Sequence, residues 1–277
     1  MTTPTKPGLM GIFAHPDDES FGMAGTMKRA TDAGHPVAIV CATRGEEGQI
    51  ADPALATPAN LGQVREQELR RACAAVGVTD VSFLDYIDGH LAEANEDEVI
   101  RKIVAHLRRM RPAVVATFDP KGAYGHVDHI AIHNLTLGAV WAAADGDRYP
   151  ELGAPHRVTK VYYTAIPRER LMEMVTQARS QGQDFVPGGD EATIPVEEMG
   201  IPMAEITTIL HLTDAEFDAK QNAIRAHATQ MPADSPFANG SPEDLRRMMG
   251  TETLFLAPPP VSAQPFPAPE DDIFAGL

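Results

Sequence analysis

Two short stretches of this chain concentrate residue types that do chemistry. His15-Pro16-Asp17-Asp18-Glu19 sets an imidazole beside adjacent carboxylates. Tyr124-Gly125-His126-Val127-Asp128-His129 adds three potential metal ligands within four residues, with His133 one helical turn further on. Histidine and carboxylate without thiolate suit a catalytic zinc, or another first-row divalent ion such as iron(II). Three protein ligands and one open position would lower the pKa of a bound water to about 7. A carboxylate left over can take that water's proton, and a protonated imidazole can stabilise an oxyanion. A purely structural reading of the first stretch has Pro16 punctuating a turn and one aspartate capping a helix. It accounts for one carboxylate and leaves His15 and the other unexplained.

These residues need elements to hold them. Apolar runs at 9–14, 37–42, 81–84, 113–118 and 161–166 read as strands. Helical periodicity lies between them at 19–33, 63–76, 96–110 and 130–144. Continuous apolar strands alternating with amphipathic helices predict a Rossmann-like, doubly wound α/β fold, mostly parallel, with helices on both faces. The expected strand order is 3-2-1-4-5. Its switch point then lies between the first and fourth strands, where ligands bind beyond the strand ends. The two chemical stretches follow those same two strands. Beyond residue 166 the pattern loosens: a helix is expected over 168–181, a Gly-rich excursion over 183–194, a strand over 206–212 and a helix over 214–230. This divides the chain into one domain over 1–257 (core 9–166, C-terminal elaboration 167–257) and a Pro-rich acidic tail, partly ordered, over 258–277.

Composition narrows the function classes. The 277 residues are 43% hydrophobic, enough for a sizeable core. A formal net charge of -16 disfavours nucleic acid and anionic membrane surfaces as partners. Met1 to Leu9 does not read as a signal peptide, and no run is long enough for a membrane span. Cys41 and Cys73 read as buried free thiols, which suits the cytoplasm. The composition leaves room for a homo-oligomer. Gly22 and Gly25 do not form a dinucleotide fingerprint, and no P-loop or nucleophile elbow occurs. His133 reads as a packing histidine, and the Arg101, Lys102, Arg108 and Arg109 set as a solvated helix face.

The paired stretches Ala14-His15-Pro16-Asp17-Asp18-Glu19 and His126-Val127-Asp128-His129 resemble the LmbE-like, or PIG-L, superfamily of zinc-dependent N-deacetylases. Thr43 to Gly48, Arg65-Glu66-Gln67-Glu68, Asp88-Gly89 and Lys220 to Gln230 extend the likeness across most of 9–230. The resemblance implies removal of an acetyl group from an N-acetylglucosaminyl conjugate, a small acetamido-sugar substrate. It implies His15, Asp18 and His129 as zinc ligands and Asp17 as general base. His126 would be the charged stabiliser or general acid, with Asp128 orienting a nearby histidine. Tyr124 would assist the tetrahedral intermediate. Arg65 and Asp88 would hold substrate hydroxyls, with Glu47 and His227 at the same rim. Either Asp17 or His126 would protonate the leaving amine.

Three other readings compete. An amidase of glucosaminyl thiol S-conjugates belongs to the same superfamily, but those enzymes often carry Lys where Phe21 stands, so Phe21 would make that wall apolar. A metal-dependent phosphoesterase usually needs more carboxylates than this. A non-catalytic metal- or sugar-binding protein needs ligands but has no use for the extra base Asp17.

Overall fold

The buried strands of the first half fold in the predicted order. The computed structural model describes residues 6–180, 182, 185–232, 235–266 and 268–277. Residues 1–5 of the N-terminal stretch, Gln181 of the expected helix, and Gln183 and Asp184 of the Gly-rich excursion lie outside the described residues. Strand β1 (Leu9–Phe13) is buried along its whole length and pairs in parallel with β2 (Val37–Cys41) on one side. Helix α1 (Asp18–Asp32) connects them, and α2 (Leu61–Ala75) leads to β3 (Asp80–Phe83), parallel to β2. Helix α3 (Glu96–Met110) then returns the chain to β4 (Val114–Phe118), parallel to β1 on its other side. A short helix α4 (Gly122–Gly125) and the longer α5 (Val127–Ala144) precede β5 (Lys160–Thr164), parallel to β4.

The core residues are those the periodicity picks out. Val99, Ile100, Ile103, Val104 and Leu107 of α3 are all buried. Each large apolar side chain removed from water in this way contributes about 1.5–3 kcal/mol. Asn95 caps α3, its side chain accepting from the Glu98 amide at 3.1 Å.

The second half enlarges the same sheet. Helix α6 (Arg168–Ser180) is followed by β6 (Thr208–His211), α7 (Asp214–Ala226), a one-turn α8 (Pro236–Asn239), α9 (Pro242–Met249) and β7 (Thr251–Leu256). Strand β7 runs antiparallel to β5, and β6 antiparallel to β7. The full order is β3-β2-β1-β4-β5-β7-β6. No described helix is long and apolar enough to cross a membrane.

Several expectations change. Helix α5 begins at Val127 rather than 130, because the His126 ring accepts from the Asp128 amide and caps it. Helix α7 ends at Ala226, and a 3-10 turn over Ala228–Gln230 follows. Arg108 leaves the solvated face of α3 and is buried. Its guanidinium donates to the carbonyls of Ala142, Ala143, Asp145, Arg148 and Tyr149, supplying the donors that the C-terminal end of α5 lacks.

Described residues of the C-terminal 258–277 segment pack against the sheet and α1 region. Glu270 bridges to Thr208 of β6, Ile273 is buried, and Phe274 stacks on His35 with ring centroids 3.8 Å apart. The Lys160 ammonium, fully buried on β5, donates to Glu270 at 2.8 Å, and the Tyr162 hydroxyl donates to the other oxygen. Glu270→Ala strands that buried ammonium. We expect a loss of about 3–5 kcal/mol in urea unfolding; a loss below about 1 kcal/mol would show that the segment does not hold the sheet edge.

Candidate active site

The site lies at the C-terminal ends of β1 and β4, the predicted switch point. The turn after β1 carries His15, Asp17 and Asp18. Asp17 sits at φ 126° and ψ −28°, a strained backbone for a non-glycine residue. Its side chain makes no capping hydrogen bond to α1. Asp18 accepts from the His15 amide at 2.8 Å, which folds its carboxylate back toward the strand end. The capping reading of this stretch therefore fails, and both carboxylates remain available.

Helix α5 supplies the opposite wall. Asp128, with no exposed surface, accepts from the amides of Gly89 at 2.7 Å and Leu91 at 3.0 Å. Its carboxylate also meets His15 Nε2 at 3.3 Å, and Asp88 meets the same nitrogen at 3.0 Å. Two carboxylates thus hold a proton on Nε2 of His15. His129 Nδ1 faces the Gly122 carbonyl at 3.3 Å, so its proton is held there. The inward-facing nitrogens, His15 Nδ1 and His129 Nε2, then approach to 3.2 Å. Asp18 lies 3.4 Å from His129 Nε2 and 3.8 Å from His15 Nδ1.

Such a cluster brings lone pairs together and calls for a cation between them. His15, His126 and His129 also form one group whose ligand atoms converge closely enough for a metal ion, and His15, Asp88 and Asp128 form another. The donor set is imidazole and carboxylate, with second hydrogen bonds that orient each ligand ring. The residues fit a divalent metal.

Burial lowers the pKa of His15, but its bonds to Asp128 and Asp88 and the charge of Asp18 outweigh this and raise it well above the ordinary value. Burial pushes Asp18 well up, and it pushes Asp17 up to about 6. Burial, reinforced by the charge of His15, holds His129 and His126 below the ordinary imidazole value. His126 Nδ1 accepts the Asp128 amide at 3.1 Å, so its proton sits on Nε2.

A cavity of about 300 Å³ opens over the cluster. His15, Asp17, Asp18, Asp88, Tyr124 and His126 line it. Arg65 also lines it, but the guanidinium donates to the Gly45 and Gln49 carbonyls at 2.7 and 2.9 Å, which tethers the loop after β2. Its Nε is buried without a partner among the described residues. Glu47 is exposed and does not line the cavity; Glu46 points inward instead, accepting from the Asp88 amide at 3.3 Å. His227 is not at the rim. It is fully buried against Glu19 at 3.0 Å, behind Asp17. Phe21 packs edge-on against Phe237 at 5.2 Å and forms no wall of the cavity. His133 Nδ1 donates to the Phe118 carbonyl at 2.8 Å, as a packing residue would.

The far wall, Gly188 to Glu191, falls in the Gly-rich excursion and carries no motif. Gly188 has φ +81°, and an added Cβ would lie 2.4 Å from the Tyr124 ring, so only glycine lets the wall close on that tyrosine. Glu191 reaches within 4.0 Å of His126 Nε2. The only signal for this wall was its Gly and acid content.

The fold and site together define a doubly wound α/β protein with a His and Asp cluster at its switch point that could hold a metal ion. A family model described as GlcNAc-PI de-N-acetylase (PIG-L) matches residues 10–140. A 1D-myo-inositol 2-acetamido-2-deoxy-alpha-D-glucopyranoside deacetylase of Streptomyces avermitilis is 36% identical, over 97% of each chain. A protein of the same name from Kineococcus radiotolerans is 33% identical, over 97% of this chain and 82% of its own. The solved N,N'-diacetylchitobiose deacetylase of Pyrococcus horikoshii superposes with a TM-score of 0.66 at 21% identity, covering 90% of this chain and 83% of that one. This chain belongs to the PIG-L, or LmbE-like, family and is an amide-hydrolysing enzyme.

The buried Glu19–His227 pair generates a pH prediction. Burial alone would raise Glu19, but the charge and hydrogen bond of His227 bring it below its ordinary 4.5. Burial alone would lower His227, but the charge of Glu19 brings it above 6.5. The Glu19 contribution is lost as pH falls through its lowered pKa, and the His227 contribution as pH rises through its raised one. The stability gap between wild type and His227→Gln should therefore be widest between pH 4.5 and 6.5 and narrow on both sides. Urea unfolding across pH tests this; a gap independent of pH would mean that the pair is not ionic.

Proposed function

We propose that this enzyme removes the acetyl group from an N-acetylglucosaminyl conjugate of inositol or a similar polyol, with zinc held by His15, Asp18 and His129. The observation that carries the reading is the convergence of His15 Nδ1, His129 Nε2 and the Asp18 carboxylate beneath a cavity that Asp17 also lines. The names of the relatives from Streptomyces avermitilis and Kineococcus radiotolerans support the substrate class. When bound, the ion supplies Lewis-acid polarisation of the acetyl carbonyl and acidifies a water.

The chain's own residues then have separable tasks. Asp17, with its pKa near 6, takes the proton of the attacking water. His126 presents Nε2–H to the carbonyl oxygen as it gains charge. The amide of Asp128 fills the His126 Nδ1 lone pair, so a neutral donor fits better than the charged stabiliser that the resemblance implies. By the same token Asp17, not His126, returns the proton to the leaving amine. Tyr124, whose hydroxyl is kept protonated by burial, offers a second donor over the same cavity. Asp88 lines the cavity and, with Arg65, borders the space for sugar hydroxyls. The free, buried Cys41 and Cys73 support a cytoplasmic location.

Acetate release from N-acetylglucosaminyl-inositol, compared with cleavage of a bimane S-conjugate, tests the substrate. Chelator-sensitive acetate release is expected; preference for the S-conjugate would reverse the assignment. Asp17→Asn should retain about one zinc per chain and lose about 10²–10⁴ in kcat. Near-normal turnover in that variant would remove Asp17 from the base role.

A further inference from the structure

Helix α1 is two helical segments joined at Met23, whose φ −156° and ψ 22° are not helical. A break of this kind frees carbonyls in the turn before it and amides in the turn after it. One buried ion pair, brought from the far end of the chain, meets both. Lys220 of α7 donates to the Phe21 carbonyl at 2.8 Å and to Glu252 of β7 at 2.8 Å. Glu252 accepts from the Gly25 amide at 2.9 Å, the Thr26 amide at 2.7 Å and the Thr26 hydroxyl at 2.6 Å. The carboxylate occupies the place of an N-cap for the second segment, and the ammonium that of a C-terminal cation for the first. Each charge complements the helix dipole it faces.

The surroundings fix the break in place. A Cβ at Gly22 would lie 2.8 Å from Thr164 Cγ2, and one at Gly25 2.5 Å from Leu212 Cδ2. Both glycines therefore let α1 press against the end of β5 and the residue following β6. The segment before the break carries Asp18 and Glu19, so its direction is not inherited from the remainder of α1. An ion pair buried this deeply is a weak net stabiliser compared with apolar packing. Its hydrogen bonds are all directed at the break.

We propose that Lys220 and Glu252 are positioning residues: by holding both sides of the break at Met23, they set the direction in which Asp18 presents its carboxylate to His15 and His129. The inference rests on the reading of those three residues as metal ligands.

Cobalt(II) affinity and the visible cobalt spectrum test it, with kcat and KM measured alongside. Lys220→Met/Glu252→Leu removes both charges and strands neither. It should fold, bind cobalt about 10–100-fold more weakly, shift the visible band and lower kcat more than it raises KM. Lys220→Arg should recover most of the affinity. Should the double variant fail to fold, Glu252→Gln is read in the same way. Asp18→Asn is the control. If it binds cobalt like the wild type, the ligand reading fails and the inference falls with it. If Asp18→Asn is impaired while the double variant keeps wild-type affinity and spectrum, the inference alone is overturned.

Discussion

One carboxylate without exposed surface, Asp128, is the constraint on which the site depends. It draws in the amides of Gly89 and Leu91 from the loop after β3, and it holds the His15 ring that leaves β1. Its own amide donates to the His126 ring, which caps the head of α5. Three parts of the chain that are remote in sequence therefore converge on one residue. A buried charge can be kept only where hydrogen bonds surround it, and here one of the bonds that satisfy the Asp128 carboxylate also orients His15. Stability and geometry share that contact.

The parallel core explains why the site is placed where it is. Strands β2 and β4 flank β1, and the chain leaves β1 and β4 toward opposite sides, which opens the crevice between them. The strained Asp17 backbone sits at that opening. Strain of this kind persists only when neighbouring contacts over-determine it. The Glu19 carboxylate accepts from the Asp17 amide at 3.0 Å and is itself held by His227. His227, expected at the substrate rim, thus acts from behind, on the turn that bears the proposed base.

Much of this was legible from residue order alone, and for physical reasons. Buried parallel strands need uninterrupted apolar runs, so β1, β2, β4 and β5 stand out, and their order locates the crevice. The paired His and Asp stretches stand out because they follow the right two strands. What escaped detection depends on partners distant in sequence. Strand β7 contains Glu252, a charge that breaks its apolar pattern and makes sense only beside Lys220 and the amides of α1. Arg108 has the spacing of a surface residue until the end of α5 is brought to it. Glu46 and Glu47 are adjacent, and only the fold of the loop decides which of them faces inward. The wall at Gly188 is set by its approach to Tyr124, which no local pattern announces.

The clamp across α1 also orders events in time. Glu252 lies 227 residues after Gly25, so a chain emerging from the ribosome exposes Asp18 and His129 long before the carboxylate that grips the broken helix exists. The N-terminal strands can pair early, but the helix that faces the cavity keeps a loose joint until β7 is synthesised and slots in beside β5. A nascent chain therefore carries its chemical groups without their final aim, and the last strand to be made is the one that locks the first helix.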